Sequence, residues 1–527
     1  MLLDTKVNLT TDKLVFAGPA LVAIFFVFTC VYRRYFSPLA KYPGPFWASV
    51  TDLWLVWLHF QPDHHHRLVK LHNQYGPVVR LKPNKLSISS PEAFRIIYGA
   101  GNGFPKSDFY SVFAGTRPFD LFAQQDERIH GQQRRLVATA YTLETMKSLE
   151  PYVNTTIHVL LDKLRELGAK GEPFDIAYLL QLFAFDIIGE LSFAKRFGYT
   201  DALSDFGTFS QISAALASGA RVGEVPWFYR LHQRLAPYIG NHLALAARNG
   251  ALHDFTLRAM ASRKDRMTPN DDDNNESNHG DILSKLLAAS AQKPQLTDQY
   301  IGFALTSNVV AGSDTTSISL CAMLLHLLRP SSSTPSAPSA LSRLLRELRD
   351  KVDAGEIPDP AADPHAVVPQ RVTERWPFLQ AVVYEALRLH PVVGSLLARV
   401  VPAGGLSFDG GCFVPAGTEV GTSAWVIHRD ESIFGPDADA FRPERWLDEG
   451  NKQKMHRFFF AFGGGSRTCI GKNIAMLEMS KVLPTLLLHF DFRLADKNEH
   501  PKDTYTNLVS LKPFHVVARR RNILQEA

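Results

Sequence analysis

Near its C-terminal end the sequence carries a cysteine in a glycine-rich loop, FAFGGGSRTCIG at residues 460–471. Because a helix is predicted over residues 470–483, Cys469 stands at a helix N-terminus, where free N–H groups and the helix dipole favour thiolate over thiol. The glycines leave room for a flat cofactor against the backbone. A buried structural cysteine is the alternative, but a lone thiolate in this setting suits a haem iron.

The loop also has a fixed order, Phe-x-x-Gly-x-Arg-x-Cys-x-Gly, which is complete at Phe462, Gly465, Arg467, Cys469 and Gly471. This order resembles the haem-binding signature of the cytochrome P450 family. The resemblance implies that Cys469 is the axial ligand of a haem b iron, with Phe462 beside the cofactor. Arg467 is close enough in sequence to reach an anionic edge of such a cofactor.

The N-terminus predicts a membrane anchor. Residues 14–32 carry no charge and are long enough to cross a hydrocarbon core of about 30 Å. Arg33 and Arg34 follow, so the positive-inside rule places the rest of the chain in the cytosol. We therefore predict a lumenal tail over 1–13, a transmembrane helix over 14–32, a basic and proline-rich hinge over 33–45 and one catalytic domain over 46–527. A buried soluble helix is the alternative for the apolar segment.

Composition excludes some classes of protein. Of 527 residues, 45% are apolar, which suffices for a large core, and a net charge of +5 gives no reason to expect a nucleic-acid partner. The four cysteines show no metal-ligand spacing and no disulfide framework, which indicates a reducing compartment.

The fold class follows from periodicity. Helical patterns dominate, while strand-like sequence is limited to residues 78–88 and 392–426, so a mainly α fold with small β-sheets is predicted. Polar or low-complexity stretches at 268–280 and 330–340 are expected to be flexible surface loops. Three consecutive histidines at 64–66 point in different directions on a helix and are expected at the surface. The predicted helices span residues 146–167, 174–193, 240–267, 282–291 and 299–328.

A charged residue stands inside a long apolar helix, the one predicted over 299–328. Asp314 and Thr315 lie three and four positions after Ala311 and share its face. Thr315 can bond back to a carbonyl one turn earlier and loosen the helix. An acid beside an alcohol over a haem is suited to proton delivery during oxygen activation. A kinked helix with a satisfied aspartate is the alternative, and the motif AGSDT resembles the oxygen-activation motif of the same family.

Haem propionates require cationic or N–H donors. The candidates are Arg467, His130 and Arg134 on one helical face, and Arg399 in a predicted strand; each could instead be a surface residue. A further pair, Glu385 and Arg388, has the spacing of an ordinary solvated helix pair. In the family that the chain resembles, this pair meets an arginine from a second motif, here Arg445, and has a structural role.

From residue 42 onward the chain resembles a microsomal cytochrome P450, and residues 104–110, 119–122 and 129–135 look most like the fungal pisatin demethylase-like branch. The resemblance implies an endoplasmic-reticulum monooxygenase of secondary or detoxifying metabolism. No nucleotide-binding motif is present in the sequence, so electrons from NADPH are expected through NADPH–cytochrome P450 reductase, with cytochrome b5 as an optional second donor. Basic residues around the cysteine loop form either a docking patch for the reductase or a solvated rim: Lys452, Lys454, Arg457 and Lys472.

The resemblance also assigns substrate contacts to residues 110–122, 303–310, 392–397 and 508–511, which are mainly apolar or aromatic and predict a lipophilic small-molecule substrate. Trp227, in a predicted loop after Pro226, is expected either at a membrane-facing entry or in the core. Two other functions stay open: a thiolate-haem isomerase or dehydratase, which needs no reductase, and a membrane-anchored haem carrier, which needs no acid–alcohol pair.

Overall fold

The architecture was analysed in a computed structural model, which describes residues 8–115, 117–247, 250–266, 280–329, 339–496 and 501–523. Helices dominate and the strands form small sheets, as predicted. The expected flexible loops at 268–280 and 330–340 lie outside the described residues except at their ends.

The first half of the described chain is almost entirely helical. Its α-helices are α1 (Asn8–Val31), α2 (Phe46–Val50), α3 (Leu53–Leu58), α4 (His64–Tyr75), α5 (Pro91–Tyr98), α6 (Ser111–Ala114), α7 (Glu127–Val137), α8 (Leu143–Ser148), α9 (Glu150–Ala169), α10 (Ile176–Phe193), α11 (Tyr199–Ala202), α12 (Thr208–Val222), α13 (Pro226–Ile239), α14 (Ala244–Ala247) and α15 (Gly250–Arg266). Within the predicted run over 240–267, the described residues form α14 and α15.

The second half contains the longest helix and the helix after the cysteine loop. Its α-helices are α16 (Ile282–Gln292), α17 (Asp298–Leu328), α18 (Ala340–Asp353), α19 (Gln370–Thr373), α20 (Pro377–Leu389), α21 (Ala424–Ile427), α22 (Glu431–Phe434), α23 (Glu449–Phe458) and α24 (Lys472–His489). One π-helical turn follows α1 at Tyr32–Phe36, and short 3-10 helices span Asp108–Tyr110, Ala138–Tyr141, Pro443–Leu447 and Gly465–Arg467.

The strands form four small sheets. They are β1 (Val78–Lys82), β2 (Lys85–Ile88), β3 (Phe174–Asp175), β4 (Arg399–Val400), β5 (Leu406–Phe408), β6 (Cys412–Val414), β7 (Glu419–Gly421), β8 (Phe490–Leu494), β9 (Asp503–Tyr505), β10 (Val509–Leu511) and β11 (His515–Arg520). The largest sheet has the order β1-β2-β7-β4, with β2 and β7 parallel and the other pairs antiparallel. The two strands predicted around residues 83–84 are β1 and β2.

Helices α10 and α17 form the centre of the core. Nearly every residue of α10 is buried, and α17 packs against α10, α15, α20 and α24. The close approach of α17 to α10 needs a glycine, because a Cβ on Gly312 would lie 3.1 Å from the Ile188 side chain. Asp175 caps α10 by accepting from the N–H groups of Ala177 and Tyr178. This packing holds the middle of α17 in a fixed position.

One helix among the described residues is long and apolar enough to cross a bilayer, and it is α10, which lies inside the protein. It is therefore a core helix. The predicted anchor over residues 14–32 coincides with α1, whose apolar side chains from Leu21 to Phe28 are exposed. Whether α1 spans a membrane stays a prediction.

Trp227 lies in helix α13, with Pro226 at its first position, and the expectation of a loop there is wrong. Proline is favoured at this position because its missing N–H would have no partner within the helix. The choice between core and surface is also decided, since Trp227 is 58% exposed and Tyr238 is 86% exposed. Helix α13 therefore presents an apolar, aromatic face.

The turn between α12 and α13 is tied to the sheet by a buried carboxylate. Glu224 Oε2 lies 2.5 Å from Lys85 Nζ and 3.3 Å from Lys82 Nζ, and Glu224 Oε1 lies 3.4 Å from His59 Nε2. Burial alone would raise the pKa of Glu224, but the two lysines hold it well below its usual range. The turn is thus held by paired charges in the interior.

The expectation that residues 64–66 lie at the surface is wrong for His64 and His65, which are buried. The first turn of α4 packs inward: the ring of His64 stacks on Tyr505 at 4.3 Å, and that of His65 lies 4.3 Å from Trp425. His66 Nε2 bonds Asp503 at 2.8 Å. Aromatic packing of this turn across to β9 could not be read from local spacing.

Candidate functional site

The site is centred on the loop between the 3-10 helix Gly465–Arg467 and α24. The N–H of Cys469 donates to the carbonyl of Phe462 at 2.9 Å, which closes the loop. Burial raises the pKa of the Cys469 thiol, while the N–H of Gly471 and the Arg134 guanidinium act in the opposite direction. The helix N-terminus therefore favours the thiolate as expected, but against a larger cost of burial.

The loop leaves room beside the sulfur. Cys469 is accessible although protein surrounds it closely enough to desolvate the thiol, which indicates that it borders an interior space. A Cβ on Gly471 would meet only the sulfur, at 3.8 Å, and a Cβ on Gly463 would meet Leu397 at 3.6 Å. Gly463 also has a φ of +69°, which side-chain-bearing residues rarely adopt. A flat group fits beside the sulfur because a Cβ at either position would make only ordinary van der Waals contacts.

The middle of α17 borders the same region. Ala311 is exposed, and Gly312 and Thr315 are half-buried, although Val310, Asp314 and Thr316 beside them are buried. Tyr141 connects this helix to the cysteine: its hydroxyl donates to Asn308 Oδ1 at 2.9 Å, and both burial and Cys469 raise its pKa. The carbonyl of Tyr141 accepts from Asn473 Nδ2 of α24 at 2.9 Å. Sequence reasoning missed this bridge, since a lone tyrosine carries no spacing signal.

The acid and the alcohol of α17 have different surroundings. Thr315 Oγ1 donates to the carbonyl of Ala311 at 2.7 Å, the backward bond that was predicted. Asp314 is buried and accepts a hydrogen bond from Gln181 Nε2 of α10. Burial raises the pKa of Asp314, whereas Lys512 and the Gln181 bond lower it. The pair thus places a half-buried hydroxyl beside a buried carboxyl group whose pKa is raised overall, chiefly by burial.

The four predicted propionate donors lie in one region. Arg134 Nη1 donates to the carbonyl of Thr468 at 2.8 Å, and Arg467 Nε donates to Glu127 at 2.8 Å. Arg399 Nη1 donates to the carbonyl of Ala398 at 3.0 Å. His130 is buried, and burial followed by repulsion from these arginines lowers its pKa to about 3, so it is a neutral donor.

A further basic residue of this region, Lys106, was missed by sequence reasoning. Lys106 Nζ donates to the carbonyl of Phe122 at 2.5 Å and lies 4.3 Å from the ring centre of Tyr110. Burial and then repulsion from Arg399 and Arg467 hold the pKa of Lys106 well below its usual range, and the carboxylates of Asp120 and Glu127 act in the opposite direction. An excess of cationic groups facing one another fits a ligand with two carboxylates, and haem has two propionates.

Behind the loop, one buried carboxylate is shared by two arginines. Glu385 Oε2 lies 2.8 Å from Arg388 Nε, and Glu385 Oε1 lies 2.9 Å from Arg445 Nε. Trp446 Nε1 and the N–H of Arg442 donate to the same carboxylate at 2.8 and 2.9 Å. The structure therefore brings together the three residues that the family pattern implied, and it does so in the interior.

The family model and the relatives that match this chain all belong to one protein family. Residues 48–517 match the family model described as cytochrome P450. The chain is 41% identical over 498 residues to a cytochrome P450 monooxygenase, hepC, of Aspergillus oryzae, covering 90% of this chain and 92% of the relative. It is 32% identical over 506 residues to a pisatin demethylase of Fusarium vanettenii, covering 94% of both chains. The predicted resemblance, including that to pisatin demethylase-like proteins, is confirmed.

Proposed function

The chain belongs to the cytochrome P450 family, and from this premise we propose that it is a haem-thiolate monooxygenase acting on a lipophilic small molecule in fungal secondary or detoxifying metabolism. The observation that carries the proposal is the accessible Cys469, which Tyr141 connects to α17 and which has Arg134 beside it. When bound, a haem with a thiolate ligand supplies cleavage of O2 and transfer of one oxygen atom.

The protein supplies binding and proton positions. Cys469 would hold the iron, with Phe462 beside the porphyrin, and Arg467, Arg134, Arg399 and His130 would bind the propionates. Thr315 Oγ1 would hold a proton at the accessible face of α17, and the Asp314 carboxyl group would hold one at the buried side of the same turn.

An apolar and aromatic wall supports a lipophilic substrate. Tyr110 and Phe113 each pack against Phe122, with ring centres 5.4 and 5.5 Å apart. Phe303 of α17 stacks on His253 at 5.0 Å, and Val392 is buried beside β10. These residues fall within the expected contact segments, and such a lining disfavours a highly charged ligand.

Electrons would come from NADPH–cytochrome P450 reductase. Arg457 is exposed on α23, and Lys452 pairs with the exposed Glu449 of the same helix at 3.2 Å. Lys472 begins α24, with Nζ 5.8 Å from the Phe462 ring centre. Cationic groups on both sides of the cysteine loop support docking of an acidic partner on this face.

Oxygen transfer is tested with labelled O2. Membranes containing the chain and a reductase are given NADPH and a panel of lipophilic aromatic compounds under 18O2, and products are analysed by mass spectrometry. We expect one product oxygen atom to come from 18O2 and none from water. We expect Thr315→Ala to lower product per NADPH about tenfold or more while NADPH oxidation continues, because proton placement is lost.

Thr208→Ala, which changes a threonine of α12 bonded to Tyr199, is the matched control and should leave product per NADPH unchanged. Product formation without NADPH, or without label, would instead favour an isomerase or dehydratase. A chain that binds haem but forms no product from any compound, and whose Thr315→Ala variant behaves as wild type, would favour a haem carrier.

We also propose a single-pass anchor in the endoplasmic-reticulum membrane, with the catalytic domain in the cytosol. The exposed apolar side chains of α1 and the face of α13 support it. Helix α2, with Trp47 62% exposed, packs against the π-helical turn that follows α1. Exposed aromatic residues of this kind are typical of membrane interfaces.

Removal of residues 1–32 should change how the protein leaves membranes. The full chain should stay in the membrane fraction after alkaline carbonate washing, because a spanning helix is not extracted by it. The shortened chain should be released by carbonate yet sediment with vesicles at neutral pH, because the α13 face remains. Release of the full chain by carbonate would contradict the anchor.

A further inference from the structure

A line of side-chain hydrogen bonds connects Asp314 to Lys512 through Gln181. Its carboxylate accepts from Gln181 Nε2 of α10, and Gln181 Oε1 in turn accepts from Lys512 Nζ, in the loop between β10 and β11. Gln181 and Asp314 are buried, whereas Lys512 is half-buried. Three distant parts of the sequence therefore meet in one line from the protein exterior to the turn of α17.

The charges at the two ends fix the amide between them. With its oxygen toward the ammonium and its nitrogen toward the carboxylate, Gln181 satisfies both, and the reverse orientation would oppose both. Each hydrogen bond polarises the other in the same direction, which strengthens the link in a low-dielectric interior. A buried carboxyl group whose only partner is a neutral amide would favour its protonated form. Lys512, which lies behind Gln181 in this line of contacts, lowers the pKa of Asp314 and so favours the carboxylate.

We propose that Lys512 and Gln181 are positioning residues for the acid of the acid–alcohol pair: the Lys512 ammonium orients the Gln181 amide, and that amide holds the Asp314 carboxylate beside Thr315. This inference rests on the proposed function, since it assigns a purpose to Asp314 in proton delivery. It extends that function by two residues that no sequence motif marks.

The surrounding ionisable groups do not offer Asp314 another cation among the described residues. Glu478 of α24 bonds Thr316, and burial raises its pKa well above the usual range, so it is neutral. Asp175, at the start of α10, and Cys321 of α17 lie near Lys512, and burial raises the pKa of Cys321 to about 12. Lys512 also lies 5.7 Å from the Phe209 ring centre, which limits where its side chain can move.

The direction of the effect can be worked out. A nearby cation stabilises a carboxylate, so the group stays ionised down to a lower pH. Loss of the Lys512 ammonium must therefore raise the pKa of Asp314. Lys512→Met keeps the length of the side chain and removes its charge. The protonated carboxyl of Asp314 should then persist to a pH higher by about one unit or more, which is the usual effect of a close opposite charge.

The test is an infrared titration of the purified, haem-loaded full chain labelled with 13C-carboxyl aspartate. The band of Asp314 is assigned by its absence in Asp314→Asn. We expect the titration midpoint to rise in Lys512→Met and in Lys512→Gln, and to stay in place in Lys512→Arg. Lys502→Met, at an exposed lysine before β9, is the control and should not move it.

A second measurement links the titration to turnover without a known substrate. With reductase and NADPH alone, hydrogen peroxide released per NADPH is followed against pH, and its profile should move in the same direction in Lys512→Met. An Asp314 midpoint equal to wild type in both uncharged variants would overturn the proposal. Failure of the proposed function differs, because it would appear in the wild-type chain as a missing thiolate-haem spectrum.

Discussion

Replacement of Cys469 by serine should abolish the carbon-monoxide difference spectrum that is typical of thiolate-ligated ferrous haem. The loop provides one sulfur, held by the bond from its own N–H to Phe462, and a serine hydroxyl at this place is a far weaker ligand for iron. Bound haem should fall strongly and product formation should fall to background. Absorption spectroscopy of the reduced protein with carbon monoxide measures the result.

The matched control is Cys412→Ser, which changes a half-buried cysteine of β6. It should leave both the spectrum and the haem content unchanged. Circular dichroism of the two variants separates loss of the ligand from loss of the fold. A Cys469→Ser protein with the wild-type spectrum would be incompatible with the assignment of the iron ligand.

Replacement of Glu385 by alanine should destabilise the protein by about 3–5 kcal/mol, the usual cost when one partner of a buried ion pair is removed. The side chains of Glu385 and Arg388 are 0% exposed and that of Arg445 is 3% exposed. Arg388 would lose its carboxylate partner in the interior, and Arg445 would keep its contact with Asp437 at 3.1 Å but lose the buried one. The change in the free energy of unfolding is measured by urea denaturation, with haem content as a second readout.

Glu444→Ala is the matched control. Glu444 precedes Arg445 in the same 3-10 helix, but it is exposed and forms a pair with Arg343 at 3.6 Å. Exposed pairs contribute little, so we expect a change within about 1 kcal/mol. A similarly small change for Glu385→Ala would show that the buried network is dispensable.

Much of the fold could be predicted because its signals are local. The β1–β2 hairpin and the apolar helices α10 and α17 follow from periodicity and turn residues within a few positions. Helix α13 could not be predicted in this way, since its aromatic residues face outward and give no core pattern. The inward packing of His64 and His65 could not be predicted for a related reason: their ring partners, Tyr505 and Trp425, lie more than 350 residues away in the sequence.

The site shows the same division. Cys469, Asp314 and Thr315 stand in motifs with fixed spacing, so the sequence singled them out. Lys106 and Gln181 could not be found, because each gains its importance from side chains that only the fold brings near. Electrostatic neighbours are set by tertiary contacts between α7, α10, α17 and the loops, and single-sequence spacing contains no record of them.

The buried carboxylate of Glu224 bears on how a large molecule could enter. Separating it from Lys85 and Lys82 inside the protein would cost several kcal/mol, so the turn between α12 and α13 is an unfavourable place for a hinge. We therefore expect these two helices to move by tilting about the turn that carries Glu224. The displacement should be largest at the opposite ends of the helices, near Thr208 and Ile239. A substrate would then enter past the moving ends of these two helices rather than through the turn that joins them.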